Sequence, residues 1–345
     1  MSQGAELEIV PAVLEEYGQI TRDALREYIE PRNPRRYLYD LVGDYPSRGG
    51  RMLRPSLCLA TARAFGAQIG HALHAAVALE LIHNAFLVHD DVEDESLERR
   101  GRPTLHALHG VALSVNVGDA LAVIALRALL DSRTVLGHRL ASRVVEETER
   151  MMRESIEGQA MDLGWRRDNA TDLDDQDYFG MVLRKTCWYT TIYPSRVGAL
   201  LGGRDATSLD GFIRYGFFLG VAFQVQDDLL NLLGDPDDYG KEISGDLWEG
   251  KRTLMVIALL RKATDTERER IREVLGRPRG ERSYDEVAWL RDLMEDYGCI
   301  EYARGVAHAM AGAAIHEAST VYAGLPPSKD KAFLEALPRW VLARA

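Results

Sequence analysis

Apolar residues recur at helical spacing along most of the chain, and the alternation typical of strands is almost absent. Over residues 9–29 they lie three or four positions apart with charged residues between them, which predicts an amphipathic helix that ends before Pro31. Residues 56–88 are mostly Ala, Leu, Ile and His, which predicts one or two helices buried on nearly all sides. Clusters of Val, Ile and Thr are too short to predict strands. The pattern therefore predicts an all-α fold.

The remaining helical patterns follow one another without a linker that would separate domains. They cover residues 37–42, 111–130, 135–163, 209–233 and a stretch that begins at Tyr178. Polar or glycine-rich breaks are predicted at residues 43–50, 166–177, 202–210 and 234–250. Beyond Thr253 the pattern predicts three or four further amphipathic helices, interrupted near Gly276 and Pro326. Because no low-complexity tract occurs, we expect one domain over residues 1–345.

An acidic cluster ends the apolar run of residues 56–88. Helical spacing places Asp90 and Asp94 at i and i+4 on one face, with Asp91 beside them. Three carboxylates this close repel one another unless a cation lies between them, and oxygen ligands favour a hard ion such as Mg²⁺. Arg99 and Arg100 follow closely and could bind phosphate oxygens. Acidic patches at helix ends are more often solvated surface, so this cluster alone leaves both interpretations open.

A second cluster of the same kind makes the metal interpretation stronger. Asp227 and Asp228 again follow an apolar run, and Asn231 lies at i+4 from Asp227. Lys241, Asp246 and Lys251 come next in a glycine-rich segment. Two such clusters on two apolar helices could face each other across a helical bundle and hold several metal ions. Together they predict a site for metal ions and a diphosphate.

These motifs resemble those of the trans-isoprenyl (polyprenyl) diphosphate synthase family, most closely its short-chain geranylgeranyl and farnesyl members. The family's DDxxD motif, followed by RRG, matches residues 90–94 and 99–101, and its FQxxDDxxD motif matches residues 223–231 except that Asn231 replaces Asp. The likeness runs over residues 49–251. It implies the isoprenoid synthase fold, a large antiparallel helical bundle around a central cavity. It also implies Mg²⁺-dependent ionisation of an allylic diphosphate and its 1'-4 head-to-tail condensation with isopentenyl diphosphate.

The resemblance implies a role for each motif residue. Three Mg²⁺ ions would be held by Asp90, Asp91, Asp94, Asp227, Asp228 and Asn231. Diphosphate groups would be bound by Arg51, Arg54, His83, Arg99, Arg100 and Lys241. Ionisation and cation stabilisation would involve Lys185, Thr186, Gln224 and Lys251. Asn231 can still ligate a hard cation through its amide oxygen, but it brings no charge.

Several of these residues also have a simpler interpretation. Arg51 and Arg54, at i and i+3, are expected to share one face at a helix start, but they could also be a solvated basic turn. His83 could be an ordinary core histidine. Lys185 could be a surface residue whose stem packs on the core. The sequence GQxxDL at residues 158–163 resembles a family motif, and Asp162 could either join the acidic wall or bond a neighbouring helix. Residues 234–250 could be a lid over the site or only a mobile connection.

Product length is expected to depend on the helix below the first acidic motif. One helical turn rises about 5.4 Å, close to one isoprene unit, so residues one turn before Asp90 limit the growing tail. In the family, bulk at the positions of Ala85 and Phe86 forms the floor. The small Ala85 lets the tail pass farnesyl length while Phe86 remains a partial stop, so we expect C20 geranylgeranyl diphosphate, with C15 as the alternative. Phe86 could also be ordinary core packing.

Composition narrows the other possibilities. The net charge of -11 argues against nucleic acid and anionic membrane surfaces as partners. Three cysteines lie far apart, which predicts free thiols in a reducing cytoplasm, and the N-terminus lacks the pattern of a signal peptide. The apolar residues 111–130 are interrupted by Asn116, Asp119 and Arg127, which indicates a core helix and no membrane insertion. The family implies a homodimer, for which apolar faces between residues 107 and 130 offer a surface.

Two other functions fit the motifs less well. A class I terpene cyclase on the same fold would ionise a prenyl diphosphate without isopentenyl diphosphate, so it would need no second diphosphate site of the kind that Arg51, Arg54 and His83 imply. A non-catalytic partner subunit is favoured by loss of an aspartate cluster, and both clusters are present.

Overall fold

The computed structural model describes residues 7–203, 208–234 and 242–344, and nearly all of them lie in helices or short turns. Within these ranges the only strands are β1 (Glu98–Arg99) and β2 (Arg102–Pro103), which pair as an antiparallel hairpin. Its turn residues Arg100 and Gly101 have φ of 54° and 67°. The predicted all-α fold is confirmed.

The helices up to the second acidic motif agree with the periodicity of the sequence. Their bounds are α1 Ile9–Tyr28, a π-helix Arg35–Tyr39, α2 Asp40–Val42, α3 Asp44–Ser47, α4 Leu53–Ala64, α5 Ile69–Glu93, α6 Leu105–His109, α7 Val111–Asp131, α8 Arg133–Arg167, α9 Asp175–Val182, a second π-helix Leu183–Ile192, α10 Tyr193–Gly203 and α11 Gly211–Leu233. The helical path of α8 is interrupted at Gly137, whose φ is 73°.

The C-terminal part contains more helices than the sequence pattern predicted. Their bounds are α12 Gly245–Glu249, α13 Leu254–Lys262, α14 Asp265–Gly276, a 3₁₀ turn Arg279–Glu281, α15 Tyr284–Asp296, α16 Cys299–Val321 and α17 Lys329–Ala343. Five of these α-helices follow Thr253, where three or four were expected. Thr264 and Ser283 form capping boxes with Glu267 and Glu286, which start two separate helices in a stretch that reads as one amphipathic pattern.

Two predicted breaks are shorter in the structure than the sequence suggested. Helix α8 continues to Arg167, and α9 begins at Asp175, because Asp174 caps it by accepting the backbone N–H groups of Gln176 and Asp177. The predicted loop 234–250 contains α12. The loop that was predicted as 166–177 is therefore reduced to residues 168–174.

The buried residues form one continuous core from α1 to α17. Helix α5 packs most extensively on α7, and α11 packs on α16 and on the second π-helix. Glycines on two neighbouring helices allow these helices to pack closely against that π-helix. A Cβ on Gly158 of α8 would lie 2.1 Å from the backbone nitrogen of Lys185, and one on Gly220 of α11 would lie 2.6 Å from Cys187 Sγ. This packing fixes the π-helix between the helices that bear the site, where such irregular turns often occur.

Two helices, α5 and α7, are long and apolar enough to cross a membrane by length and composition. The apolar window of α5 is 72% buried in the core, as expected for an internal helix. That of α7 is only 39% buried, because one side of α7 has no covering element among the described residues.

Candidate active site

The first acidic motif is surrounded by cations from three different elements. Lys185 on the π-helix places Nζ 2.6 Å from an oxygen of Asp162 and 3.8 Å from one of Asp90. Asp94 receives Arg166 from α8 at 2.7 Å and the Nζ of Lys251 at 2.7 Å. Through Lys185, Asp162 is held on the second π-helix and lies beside Asp90 of the first motif.

Burial and charge act in opposite directions on these carboxylates. Burial alone would raise the pKa of Asp94, but the nearby charges of Lys251 and Arg166 hold it well below its usual range. The pKa of Asp162 is lowered in the same way, because Lys185 and Arg166 outweigh its burial. Both side chains are therefore ionised at neutral pH, which suits them to attract cations.

Asp91 and Arg99 differ from the sequence expectation. Asp91 is 1% exposed, accepts a hydrogen bond from Tyr45, and is paired with the guanidinium of Arg99, whose Nε lies 2.9 Å from Asp91 Oδ1. Arg99 is buried as well, since the β1–β2 hairpin folds it back under the end of α5. Both side chains are buried, and their ion pair, with Arg99 Nη2 also 3.4 Å from Asp90 Oδ2, ties the hairpin to the end of α5.

The three residues of the second motif have three different environments. Asp227 is partly exposed and lines a cavity. Asp228 is buried and accepts hydrogen bonds from Tyr178 at 2.8 Å and Gln224 at 2.7 Å. Burial, followed by the charge of Asp246, raises the pKa of Asp228 to about 8.

Asn231 is the third of these residues, and it is also buried. Its Oδ1 accepts the backbone N–H of Asp246 at 3.0 Å, and its own carbonyl accepts the N–H of Ser244 at 2.7 Å. It thus fastens the segment that leads to Lys251 onto α11. The amide oxygen predicted to ligate a metal ion is engaged by the protein backbone.

The π-helix connects the two acidic motifs. Next to Lys185, Thr186 donates from Oγ1 to Gln224 Oε1 at 2.8 Å, and Gln224 in turn contacts Asp228. Gln159 of α8 donates to Asp90 at 3.4 Å and to Glu93. A continuous polar path therefore runs from α8 and α5 across the π-helix to α11.

A cavity of about 240 Å³ lies beside this polar path. It is lined by Gly50, Arg51, Met52, Leu53, Arg54, Glu80, His83, Arg100, Phe223, Asp227, Leu230, Trp340 and Arg344. Arg54 lies 3.3 Å from His83 Nε2 and donates to the hydroxyl of Tyr189 at 2.9 Å. Arg51 and Arg54 do not share a helix face as predicted, because α4 begins only at Leu53 after Met52 in the left-handed region with φ of 52°. They still reach the same cavity from a loop and a helix.

Several residues of this cavity had no signal in the sequence. Glu80 is 5% exposed, and burial raises the pKa of its carboxyl although Arg54 and Arg100 oppose the effect. Helix α17 brings Arg344, whose guanidinium carbon lies 4.0 Å from the centre of the Phe223 ring. Periodicity predicts where a helix forms but not which distant helix it packs against. It therefore could not have predicted that the end of α17 lines this cavity.

The predicted chain-length residues lie on different sides of α5. The Phe86 ring centre is 5.8 Å from that of Tyr189 on the π-helix. Ala85 is 2% exposed and lies one turn before His89, whose ring meets α7 at Gly118. The floor residues thus face two different neighbours, with Ile82 and Leu79 fully buried below them.

The donor set fits a hard divalent ion. The side chains around the first motif offer carboxylate oxygens and no sulfur, as Mg²⁺ prefers. Within the described ranges no three His, Cys, Asp or Glu side chains converge closely enough to hold an ion by themselves. Mg²⁺ usually takes one or two carboxylates together with substrate phosphates, so the arrangement suits ions that arrive with a diphosphate. Lys241 lies outside the described residues.

Comparison with known proteins identifies the family. The polyprenyl synthetase model matches residues 35–294. A short chain isoprenyl diphosphate synthase of Methanothermobacter thermautotrophicus is 33% identical over 301 residues, which are 86% of this chain and 87% of that protein.

Solved structures agree. A geranylgeranyl pyrophosphate synthetase from Pyrococcus horikoshii has a TM-score of 0.85 at 30% identity and covers 98% of this chain and 99% of its own. A geranylgeranyl pyrophosphate synthase from Corynebacterium glutamicum, complexed with isoprenyl diphosphate and magnesium, has a TM-score of 0.86 at 26% identity over 96% of this chain and 99% of its own. The chain belongs to the polyprenyl synthetase family and is a prenyltransferase with the all-α isoprenoid synthase fold.

Proposed function

We propose that the protein condenses isopentenyl diphosphate with allylic diphosphates to give a short-chain prenyl diphosphate, in particular geranylgeranyl diphosphate. The observation that carries this proposal is the presence of two adjoining charged regions. One is the cluster of aspartates with Lys185 and Lys251, and the other is the cavity with Arg54 and Arg100. Two diphosphates can therefore be bound side by side, as the condensation requires.

The aspartate cluster is suited to the allylic diphosphate. Mg²⁺ bound there, three ions in our proposal, would neutralise part of the charge that develops on the leaving diphosphate. Asp90 and Asp227 are partly exposed and are our first candidates as ligands, with the ionised Asp94 and Asp162 behind Asp90. Lys185, Lys251 and Arg166 lie among these carboxylates and would donate to the diphosphate oxygens.

Thr186 and Gln224 suit the carbon that becomes electron-poor when the allylic bond breaks. Their side-chain oxygens lie next to each other between the two acidic motifs. Dipoles of this kind stabilise a cation without supplying a nucleophile that would trap it. The neighbouring buried Thr190 and Trp188 help to keep water away from that carbon.

The cavity is suited to isopentenyl diphosphate. Arg54, with its guanidinium held by His83 and Tyr189, and Arg100 at the β1–β2 turn are the proposed phosphate donors, and Arg51 at the cavity mouth adds a third. A terpene cyclase has no use for this second basic region. A non-catalytic subunit is disfavoured because both acidic clusters are intact.

We assign Asp91, Arg99 and Asn231 differently from the motif pattern. The buried Asp91–Arg99 pair holds the end of α5, and Asn231 fastens residues 244–246 to α11. Their proposed role is to place Asp90, Asp94 and Lys251, since their own polar atoms are occupied by protein groups. Because Asn231 is not a metal ligand in this proposal, having Asn where the family has Asp does not reduce the negative charge around the metal ions.

We further propose a homodimer in the cytoplasm. Five apolar side chains along α7 are 39% to 64% exposed, namely Val111, Val115, Val123, Leu126 and Leu130. A stripe of this size on one helix usually marks a contact surface, and a second copy of the chain buries it symmetrically. The three cysteines are buried and unpaired, which fits a reducing compartment.

The test of the function is elongation in vitro. The protein is incubated with Mg²⁺, isopentenyl diphosphate and C5, C10 or C15 allylic diphosphates, and product length is read by chromatography. We expect chain growth to C20, which stops when the metal ion is chelated. A protein that releases diphosphate but forms no longer chain would contradict the synthase assignment and favour the cyclase.

Two variants separate the two regions. Asp90→Ala should lower kcat by orders of magnitude, because its effect is largest when the leaving group gains charge. Arg54→Ala should mainly raise the KM for isopentenyl diphosphate. Circular dichroism is used to check that both variants are folded. An Arg54→Ala effect confined to the allylic substrate would show that the two regions have been assigned the wrong way round.

A further inference from the structure

The C-terminal helices contact the active-site segment through several side chains. Arg279 pairs with Glu242 and lies 3.7 Å from Glu249, and the ring of Tyr284 packs edge-on against that of Trp248.

The buried Arg282 makes the most hydrogen bonds of this group. Arg282 precedes α15, is 9% exposed and directs its whole guanidinium group inward. Its Nε donates to Val274 O at 3.0 Å, and its Nη2 donates to Leu275 O at 2.8 Å and Arg277 O at 2.6 Å. These bonds tie Arg282 to the end of α14.

The same guanidinium also holds helix α12. Its Nη1 donates to Leu247 O at 3.3 Å and to Trp248 O. A guanidinium has five N–H donors, and the five bonds of Arg282 all end on backbone carbonyls. Three of these belong to the α14 end and two to α12, so Arg282 bonds both elements at once.

Helix α12 and the residue that follows it carry charged groups of the site. Lys251 contacts Asp94 at 2.7 Å, Glu249 at 2.5 Å and Asp246 at 3.5 Å, and its backbone N–H is accepted by Asp246 O at 2.8 Å. Ser96, just after the first acidic motif, donates to Glu249 at 2.9 Å. Any shift of α12 would therefore move the ammonium group of Lys251 relative to Asp94.

Gly250 makes the close approach possible. Its φ is 71°, and a Cβ at this position would lie 2.7 Å from Arg282 Nη2 and 3.2 Å from Leu275 O. A side chain here would displace Nη2, which bonds Leu275 O and Arg277 O, and with it the guanidinium that also bonds α12. Gly250 and Arg282 are thus complementary parts of one contact.

From this geometry we propose that Arg282 is a positioning residue for the prenyl transfer reaction. It acts through α12 and holds Lys251 where it can meet the departing allylic diphosphate. The inference rests on the proposed function for the role of Lys251. The placement of α12 by Arg282 does not depend on that function and can be measured in the substrate-free protein.

The first measurement is amide hydrogen exchange of the full-length protein without substrates. Arg282→Gln should raise amide exchange of residues 244–251 at least severalfold, because α12 loses the two hydrogen bonds that the guanidinium donates to its carbonyls. Arg268→Gln is the matched control, since Arg268 also donates to carbonyls, those of Leu260 and Ala263, but does not touch α12. Equal exchange of residues 244–251 in the two variants would overturn the placement, whatever reaction the protein catalyses.

The second measurement is a double-mutant cycle on kcat. We expect Arg282→Gln to lower kcat by about tenfold to a hundredfold, the scale of a misplaced catalytic group, with the KM for isopentenyl diphosphate changed less than about twofold. In a Lys251→Ala background the same substitution should have little further effect, because the two act in series. Additive losses would show that Arg282 does not work through Lys251 and would refute the inference.

Two further variants guard against simple misfolding. Arg282→Lys keeps the charge but can supply only three donors, so it should restore folding and only part of kcat. Gly250→Ala should reproduce the kcat loss with Arg282 still present. Full activity in both variants would contradict the proposal. If the parent protein catalyses no prenyl transfer, the proposed function is refuted. The hydrogen exchange result then still tests whether Arg282 positions α12.

Discussion

The pKa values of two motif aspartates, Asp228 and Asp94, are shifted in opposite directions. Burial and the charge of Asp246 raise the pKa of Asp228 to about 8, while Tyr178 and Gln224 bond its oxygens. A carboxyl with a raised pKa in the folded state stabilises the fold fully below its unfolded pKa, near 3.8. That contribution is lost as the pH rises through about 8, because the ionised form is penalised only in the fold.

This predicts a pH dependence of stability for the metal-free protein. With a chelator present, the free energy of unfolding should fall between about pH 5 and pH 8, and Asp228→Asn should flatten this decline since its amide cannot ionise. Denaturant unfolding followed by circular dichroism measures both. Asp292→Asn, at an exposed position, should keep the parent's slope. An unchanged slope in Asp228→Asn would mean that this carboxyl is already ionised in the fold.

At the scale of elements, α5 meets the π-helix on one side and α7 on the other. Phe86 contacts Tyr189 on the π-helix, whereas Ala85 belongs to the side that meets α7. A growing tail that descends along α5 would therefore be limited by two neighbouring helices.

Reciprocal substitutions test this floor. Phe86→Ala should lengthen the products, because it opens the space beside Tyr189, and Ala85→Phe should shorten them by filling the space towards α7. Product lengths are compared by chromatography with the same C5 primer. Ala85 is fully packed, so its enlargement costs about 1–3 kcal/mol of stability, and melting is recorded alongside. Parent-like products from both folded variants would rule out these two residues as the floor.

At the scale of the whole molecule, α7 presents five exposed apolar side chains that no described element covers. It also satisfies the length and composition of a membrane span, but Asp119 and Arg127 lie within it. These two charged side chains favour the contact with a second copy proposed above over a lipid bilayer. A dimer contact along α7 would also support α5, which packs on its other side.

A charge placed in this stripe should separate the copies. Leu126→Glu puts an unpaired carboxylate into the proposed contact, where burial without a partner is costly, so the protein should sediment as a monomer. Tyr284 lies outside α7 and is 81% exposed, against 50% for Leu126, so Tyr284→Glu is a surface control that should remain dimeric. Sedimentation velocity distinguishes the two. A parent protein that is already a stable, active monomer would overturn the proposed dimer.

The sequence alone determined the all-α fold class, most helices up to the second acidic motif, and the place of the two acidic motifs at the ends of apolar helices. These follow from local periodicity and from short spacings, because neighbouring residues on a helix must share a face whatever the rest of the chain does. A prediction from helical spacing is wrong where a turn, and not a helix, separates the two residues. Arg51 and Arg54 were expected on one helix face, but the left-handed Met52 delays the start of α4.

Only the tertiary structure decided which motif residues face the cavity and which are held by the protein. Asp91 and Arg99 pair with each other because a hairpin reverses the chain, and Asn231 bonds the backbone of a segment that follows it in sequence. Glu80, Arg344 and Arg282 enter the site or its support through contacts between distant segments. Such contacts depend on how complete helices pack, and packing is a property of the whole core that no short stretch of sequence contains.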